Sequence, residues 1–246
     1  MPEREPISSG PATDRRVIRP DRVALQLGIV AIMLGIAHLA MVYLRRVHDM
    51  DVVMGFARLF DFYHENNVPS YFSALLLLAA AALLALLGGS TAEKFRRQRH
   101  RWFLLALLFA FLSCDELLAL HERLMLPTRQ SLHTTGLLYA AWIIPYGALL
   151  LALAAFHWRW FMALPVATRR RFVVAAGLFL VGAVVLESVS GAEWELHKSR
   201  TLLLDACIFF EDMFEMAGAI AFIRALLIEL GRARTVIAFA APDAAD

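Results

Sequence analysis

Six stretches of the chain, at about 23–44, 71–89, 102–122, 136–158, 172–192 and 203–230, run apolar over roughly the length of a membrane span. They lack both the alternation of a half-buried strand and the one-sided stripe of a soluble helix. A hydrocarbon core about 30 Å thick takes about 20 residues of helix at 1.5 Å each. In lipid only helices and closed barrels satisfy every backbone donor and acceptor. The pattern therefore predicts an all-α integral membrane protein with six transmembrane helices. Composition agrees, since 60% of the 246 residues are hydrophobic and 19% charged, against about 45–50% and about 25% in a soluble domain.

The flanks read differently. Residues 1–22 are rich in Pro, Arg and Ser and predict a disordered cytoplasmic tail ahead of a membrane domain at 23–230. Residues 231–246 form a second cytoplasmic tail. The first apolar block is too long for the core of a signal peptide and ends in Arg45-Arg46 without a small-residue cleavage site. Cys114 and Cys207 both lie inside predicted spans, with no CxxC-type spacing to mark a metal or redox motif.

Basic residues set the orientation. Arg4, Arg15, Arg16, Arg19 and Arg22 precede the first span; Lys94, Arg96, Arg97, Arg99 and Arg101 follow the second; Arg159, Arg169, Arg170 and Arg171 follow the fourth; Arg232 and Arg234 follow the sixth. The alternate connections are poorer, with Arg45, Arg46 and Arg58, then Arg123 and Arg129, then Lys198 and Arg200. The alternation predicts both termini in the cytoplasm, with the basic runs near anionic headgroups and no role in binding nucleic acid. The chain is placed in the inner (plasma) membrane of a bacterial-type cell. In the first outer connection, Val52, Val53, Phe56, Leu59 and Phe60 have the spacing of a short interfacial helix, and Ser70 is the expected cap of the second span.

Charges inside spans cost about 2.5–3.5 kcal/mol each on insertion scales and mark functional candidates. The third span carries Asp115, Glu116, His121 and Glu122; the fifth carries Glu187, then Glu193, Glu195 and His197 at its end; the sixth carries Asp205, Glu211, Asp212 and Glu215. In the predicted orientation all three sets lie at one depth, in the outer half of the bilayer. At about 100° per residue, the four acids of the sixth span share one face, and Asp115 and Glu122 are nearly eclipsed. Glu193, Glu195 and His197 fit a solvated outer loop, and interhelical hydrogen bonding is the plain alternative for the deeper acids. With Arg123 the nearest candidate partner, so many carboxylates cannot all stay ionised, which leaves protons or a bound cation to neutralise them.

Carboxylates with one or two imidazoles suit iron, manganese or zinc, and helix bundles build di-metal sites from such a mixture. The Glu-x-x-His pair of those bundles is absent here. A divalent metal would be held by Asp115, Glu116, Glu122, Glu187, Glu211 and Glu215, with Asp212 and His121 as acid–base groups. That reading makes the protein a membrane enzyme acting on a small or lipid substrate. The alternative is a proton- or cation-coupled transporter using the same carboxylates as a relay, although the cytoplasmic halves of the spans hold almost no polar residues to continue it. A haem held by His38 and His121 would have an improbable acidic lining.

Three segments, ENNVPSYFSALLLL at 65–78, FLSCDELLALHERL at 111–124 and EDMFEMAGA at 211–219, resemble uncharacterised bacterial multi-pass membrane proteins. Those proteins pair an acidic "DE…HE" helix with a late "E-(E/D)-x-x-E-x-x-G" helix. The resemblance implies no activity; it supports the choice of residues.

Overall fold

The computed structural model describes residues 18–48, 56–90 and 96–233. The predicted tails, apart from their residues nearest the membrane domain, lie outside this set, as do Val52 and Val53 of the expected interfacial helix. The elements are α1 (Pro20–His48), the short α2 (Ala57–Phe60), α3 (Val68–Gly89), α4 (Arg99–Leu118), α5 (Leu120–Leu132), a 3-10 turn at Gly136–Leu138, α6 (Ile143–Met162), α7 (Val166–His197) and α8 (Leu202–Arg232). Among the described residues there is no strand. Three helices, α1, α3 and α7, are long and apolar enough to cross a membrane, and the bent pair α4–α5 makes four if counted as one span. The acids along α8 keep that helix outside the same composition.

α8 is the central post, with α1, α3 and α7 packed around it and α4 packed on α3. Its inner face buries Met216, Ala219, Ile220, Ile223 and Leu226 against Leu76, Ala80, Leu84 and Leu87 of α3 and Ala31 and Leu34 of α1. The opposite pattern holds outside. Leu25, Ile32, Met33 and Ile36 of α1 and Val173, Val174 and Val185 of α7 are more than half exposed, an apolar girdle that lipid rather than water would cover. α7 meets α8 at unusually close range. A Cβ on Gly182 would lie 2.5 Å from the Glu211 carbonyl oxygen, and one on Gly218 would lie 2.5 Å from the Phe179 backbone nitrogen. Small residues at a crossing let backbones approach this way. At Val181–Leu186, beside the first of these contacts, α7 widens into π-helical turns, a local form frequent beside functional groups.

Three local readings need correction. Asn67, not Ser70, caps α3: its side chain accepts the Ser70 N–H at 3.0 Å while its amide nitrogen donates to the carbonyls of Asp61 and His64. The stretch at 136–142 is a 3-10 turn and bends, and the helix of the fourth predicted span begins only at Ile143. The third predicted span does not run to residue 122. It stops at Leu118, where Ala119 takes a left-handed φ of 48°, and α5 leaves at 83°. A non-glycine residue in that conformation costs on the order of 1 kcal/mol. The Asp115 carboxylate offsets it by accepting the His121 N–H, an orphan donor in the first turn of α5, at 2.8 Å.

Candidate functional site

The bend at Ala119 builds the centre of the site. It swings His121 back over its own helix, so the ring Nδ1 lies 3.1 Å from Asp115 Oδ2 while Asp115 Oδ1 accepts the His121 N–H. The Tyr146 hydroxyl, one turn into α6, donates to the same carboxylate at 2.9 Å. Asp115 is buried and receives three donors. With Nδ1–H given to Asp115, the other ring nitrogen, Nε2, is the one left to exchange protons. Trp142 packs against the imidazole, with ring centroids 5.2 Å apart, and donates its Nε1–H to Glu187 at 2.8 Å.

Glu187 begins the regular helix that follows the π turns of α7. One turn on, the Ser190 hydroxyl lies 3.0 Å from the Glu187 carbonyl and 3.2 Å from Glu211 Oε2. Its one proton goes to the carbonyl or the carboxylate or is shared between them. Asp212 and Glu215 follow on the same helix and have Glu116, Glu65 and Glu187 as electrostatic neighbours. Glu211, Asp212 and Glu215 are largely enclosed by protein yet keep some accessible surface. Glu65, in the loop before α3, faces the same acids. Burial pushes its carboxyl above the usual range, helped by Glu122 and Glu187 and opposed by His121 and the Ser70 hydroxyl.

A second, separate network closes the same end of the bundle. Asp205, buried in the first turn of α8, accepts both Oδ atoms' worth of bonds from Arg45 at 2.8 Å, and from Arg46 and Arg200. Arg200 also grips Asp61 at 2.6 Å and 3.0 Å. Burial alone would raise the Asp61 carboxyl, but the Arg200 guanidinium outweighs it and holds it well below the usual carboxylate range. His38 is fully buried, stacked on Phe62 at 4.5 Å, and accepts the Phe62 N–H through Nδ1. It sits in this clamp, away from His121.

The structure thus brings together Asp115, Glu116, His121, Glu187, Glu211, Asp212 and Glu215 from the sequence reading. Glu122 falls on α5 and is exposed, because the bend cancels its alignment with Asp115. Asp205 leaves the acidic face for the arginine network. Arg123 makes no ion pair with a described residue; Arg45, Arg46 and Arg200 are the basic partners, and they serve the clamp. Glu193 accepts the Thr201 hydroxyl and Glu195 the Gly136 N–H, so both tie outer turns together. Glu65, Trp142, Tyr146 and Ser190 join the site without having been singled out. Only Glu65 left a trace, as the first residue of the ENNVPS segment. Among the described residues, no three His, Cys, Asp or Glu side chains converge as a metal-ligand set.

The profile of one protein family, described as "Domain of unknown function (DUF8692)", matches residues 25–230. No curated protein and no solved structure matches the chain.

Proposed function

The chain belongs to the DUF8692 family, whose description assigns no activity, and from the site itself we propose a membrane enzyme that works by acid–base chemistry in an outward-facing crevice. All six apolar stretches form helices, and the basic residues alternate between their connections. Both features support six spans with the two termini in the cytoplasm and the crevice in the outer half of an inner membrane. Cysteine labelling at Arg97 and Gln130 from opposite sides of sealed vesicles tests that orientation.

One observation favours an enzyme over a conduit. Beneath Glu215 the gap lined by Ser73, Leu77, Phe179, Met216 and Ala219 has no room for a water molecule. Below it the packed layer of Ile220, Ile223 and Leu226 is apolar. A crevice open at one end serves a substrate that enters and leaves by the same mouth. His121, held in register by Asp115, takes a proton from a hydroxyl or water, and Tyr146 keeps the carboxylate in place. A neighbouring carboxyl, Asp212 or Glu116, returns a proton to the leaving group. The excess of acids over bases favours a small or lipid substrate with a cationic or hydroxyl-rich head. A divalent metal would need these side chains to draw closer together.

Protein in nanodiscs, incubated with a bacterial lipid extract and small-metabolite pools, should produce a mass change that His121→Gln and Asp115→Asn each reduce by roughly 10²–10⁴-fold. Conversion that persists in both variants refutes the assignment. Flux of protons or cations into proteoliposomes, abolished by Glu215→Gln, would replace it with the transporter reading. Loss of thermal stability on chelation, restored by one metal, would restore the metal reading.

A further inference from the structure

The opposite end of the bundle holds a different kind of site. Between α7 and α8 a groove of about 230 Å³ is lined by Arg170, Arg171 and Arg224, with Val174 and Ala221 as its apolar walls. Three guanidinium groups face little opposing charge. Arg224 is paired with Asp21 of α1, a residue 79% exposed at its side chain. Arg171 approaches only Glu229, at 3.9 Å, and that buried carboxylate is already engaged by the Thr168 hydroxyl at 2.7 Å and by Arg232 at 2.9 Å. That approach is made by Nη1, which is shielded from water and too far from Glu229 for a hydrogen bond. Arg170 makes no ion pair or hydrogen bond with a described residue.

Guanidinium groups this loosely matched by protein carboxylates favour an anion that brings its own oxygens. The groove also leads onto the exposed faces of Val173 and Val174 on α7, where an acyl chain can lie. Basic pockets between spanning helices at a membrane surface suit phosphate-bearing headgroups. We propose that this groove binds the phosphate of an anionic lipid, with Arg170 and Arg171 as its principal donors and the lipid's chains along α7. In the topology proposed above, the site meets the inner leaflet, on the far side of the apolar layer from the crevice.

The test is native mass spectrometry of the full chain released from nanodiscs containing phosphatidylcholine with either phosphatidylglycerol or phosphatidic acid. The wild-type protein should retain an anionic lipid in preference to phosphatidylcholine. Arg170→Gln, which removes no internal contact, and the double variant with Arg171→Gln should weaken that retention, the double by roughly tenfold or more. Arg159→Gln, a basic residue on α6 outside the groove, should behave as wild type. Equal retention of all lipids, or an Arg159→Gln loss matching the double variant, overturns a defined site. Inorganic phosphate that competes at the same concentration as the lipid overturns the lipid component and leaves a simple phosphate site. Circular dichroism of each variant separates loss of binding from loss of fold.

Discussion

Substituting Gly182 by alanine tests how tightly α7 and α8 are pressed together at the crevice. The added Cβ would stand 2.5 Å from the Glu211 carbonyl oxygen and 2.8 Å from Glu215 Cγ. Ordinary contact begins near 3.4 Å, so the helices must part by about 0.9 Å or the carbonyl must tilt out of its own helix. Overpacking of this kind costs about 1–3 kcal/mol. Alanine's better helix propensity returns about 1 kcal/mol, which leaves a net loss of about 0–2 kcal/mol. Gly177 sits on the same helix, nothing approaches its Cβ position within 4 Å, and it is exposed. Gly177→Ala should therefore stabilise by up to about 1 kcal/mol. The two substitutions are chemically identical and should have opposite signs. Thermal unfolding of both variants in the same nanodisc, followed by near-ultraviolet circular dichroism, reads the difference. The parting should also lengthen the 3.2 Å contact between Ser190 and Glu211 and lower activity in Gly182→Ala alone. If both variants gain stability alike, the crossing has slack and the argument from close approach is refuted.

Asp205→Asn leaves Arg45, Arg46 and Arg200 facing a neutral group, and should cost about 2–4 kcal/mol, below the figure for a fully buried pair because Arg46 is a third exposed. Arg46→Gln should cost about 1 kcal/mol or less, and equal losses in the two variants would argue against Asp205 as the hub. Glu65→Gln carries a pH signature. Since the Glu65 carboxyl is raised in the fold, its contribution to stability is complete below its ordinary value of about 4.3 and is lost as pH rises through the folded one. The Gln variant should match wild type in acid and exceed it at neutral pH and above, and a constant difference across a melting series from acid to alkaline pH would contradict this.

The helices were legible because their cause is local: an apolar run long enough for a bilayer has few other options. What a linear reading missed was set by backbone geometry that no side chain announces. Ala119 is an ordinary helix former in a left-handed conformation, so a helical wheel carried through it aligns Asp115 with Glu122 and puts His121 to one side. The bend reverses that choice. Asp205 looked like a fourth acid of one face because the wheel knows nothing of Arg45 and Arg46, which arrive from the far end of α1. Tyr146 and Trp142 gave no local signal, since their hydrogen bonds run to residues on other helices.

The clamp at Asp205 has a consequence for biogenesis. Its arginines and its aspartate are separated by 160 residues of chain, whereas Asp115 and His121 are six apart. At a synthesis rate of about 5–20 residues per second, Arg45 and Arg46 emerge on the order of ten seconds before their partner. During that interval Arg45 has Asp61, 3.6 Å away in the finished fold, as its one early counter-charge, and Arg46 waits at the end of α1 held by its own hydration. The His121 elbow can form as soon as its segment is inserted. The arginines lock only when α8 arrives, so the last helix to be made is the one that fastens the first.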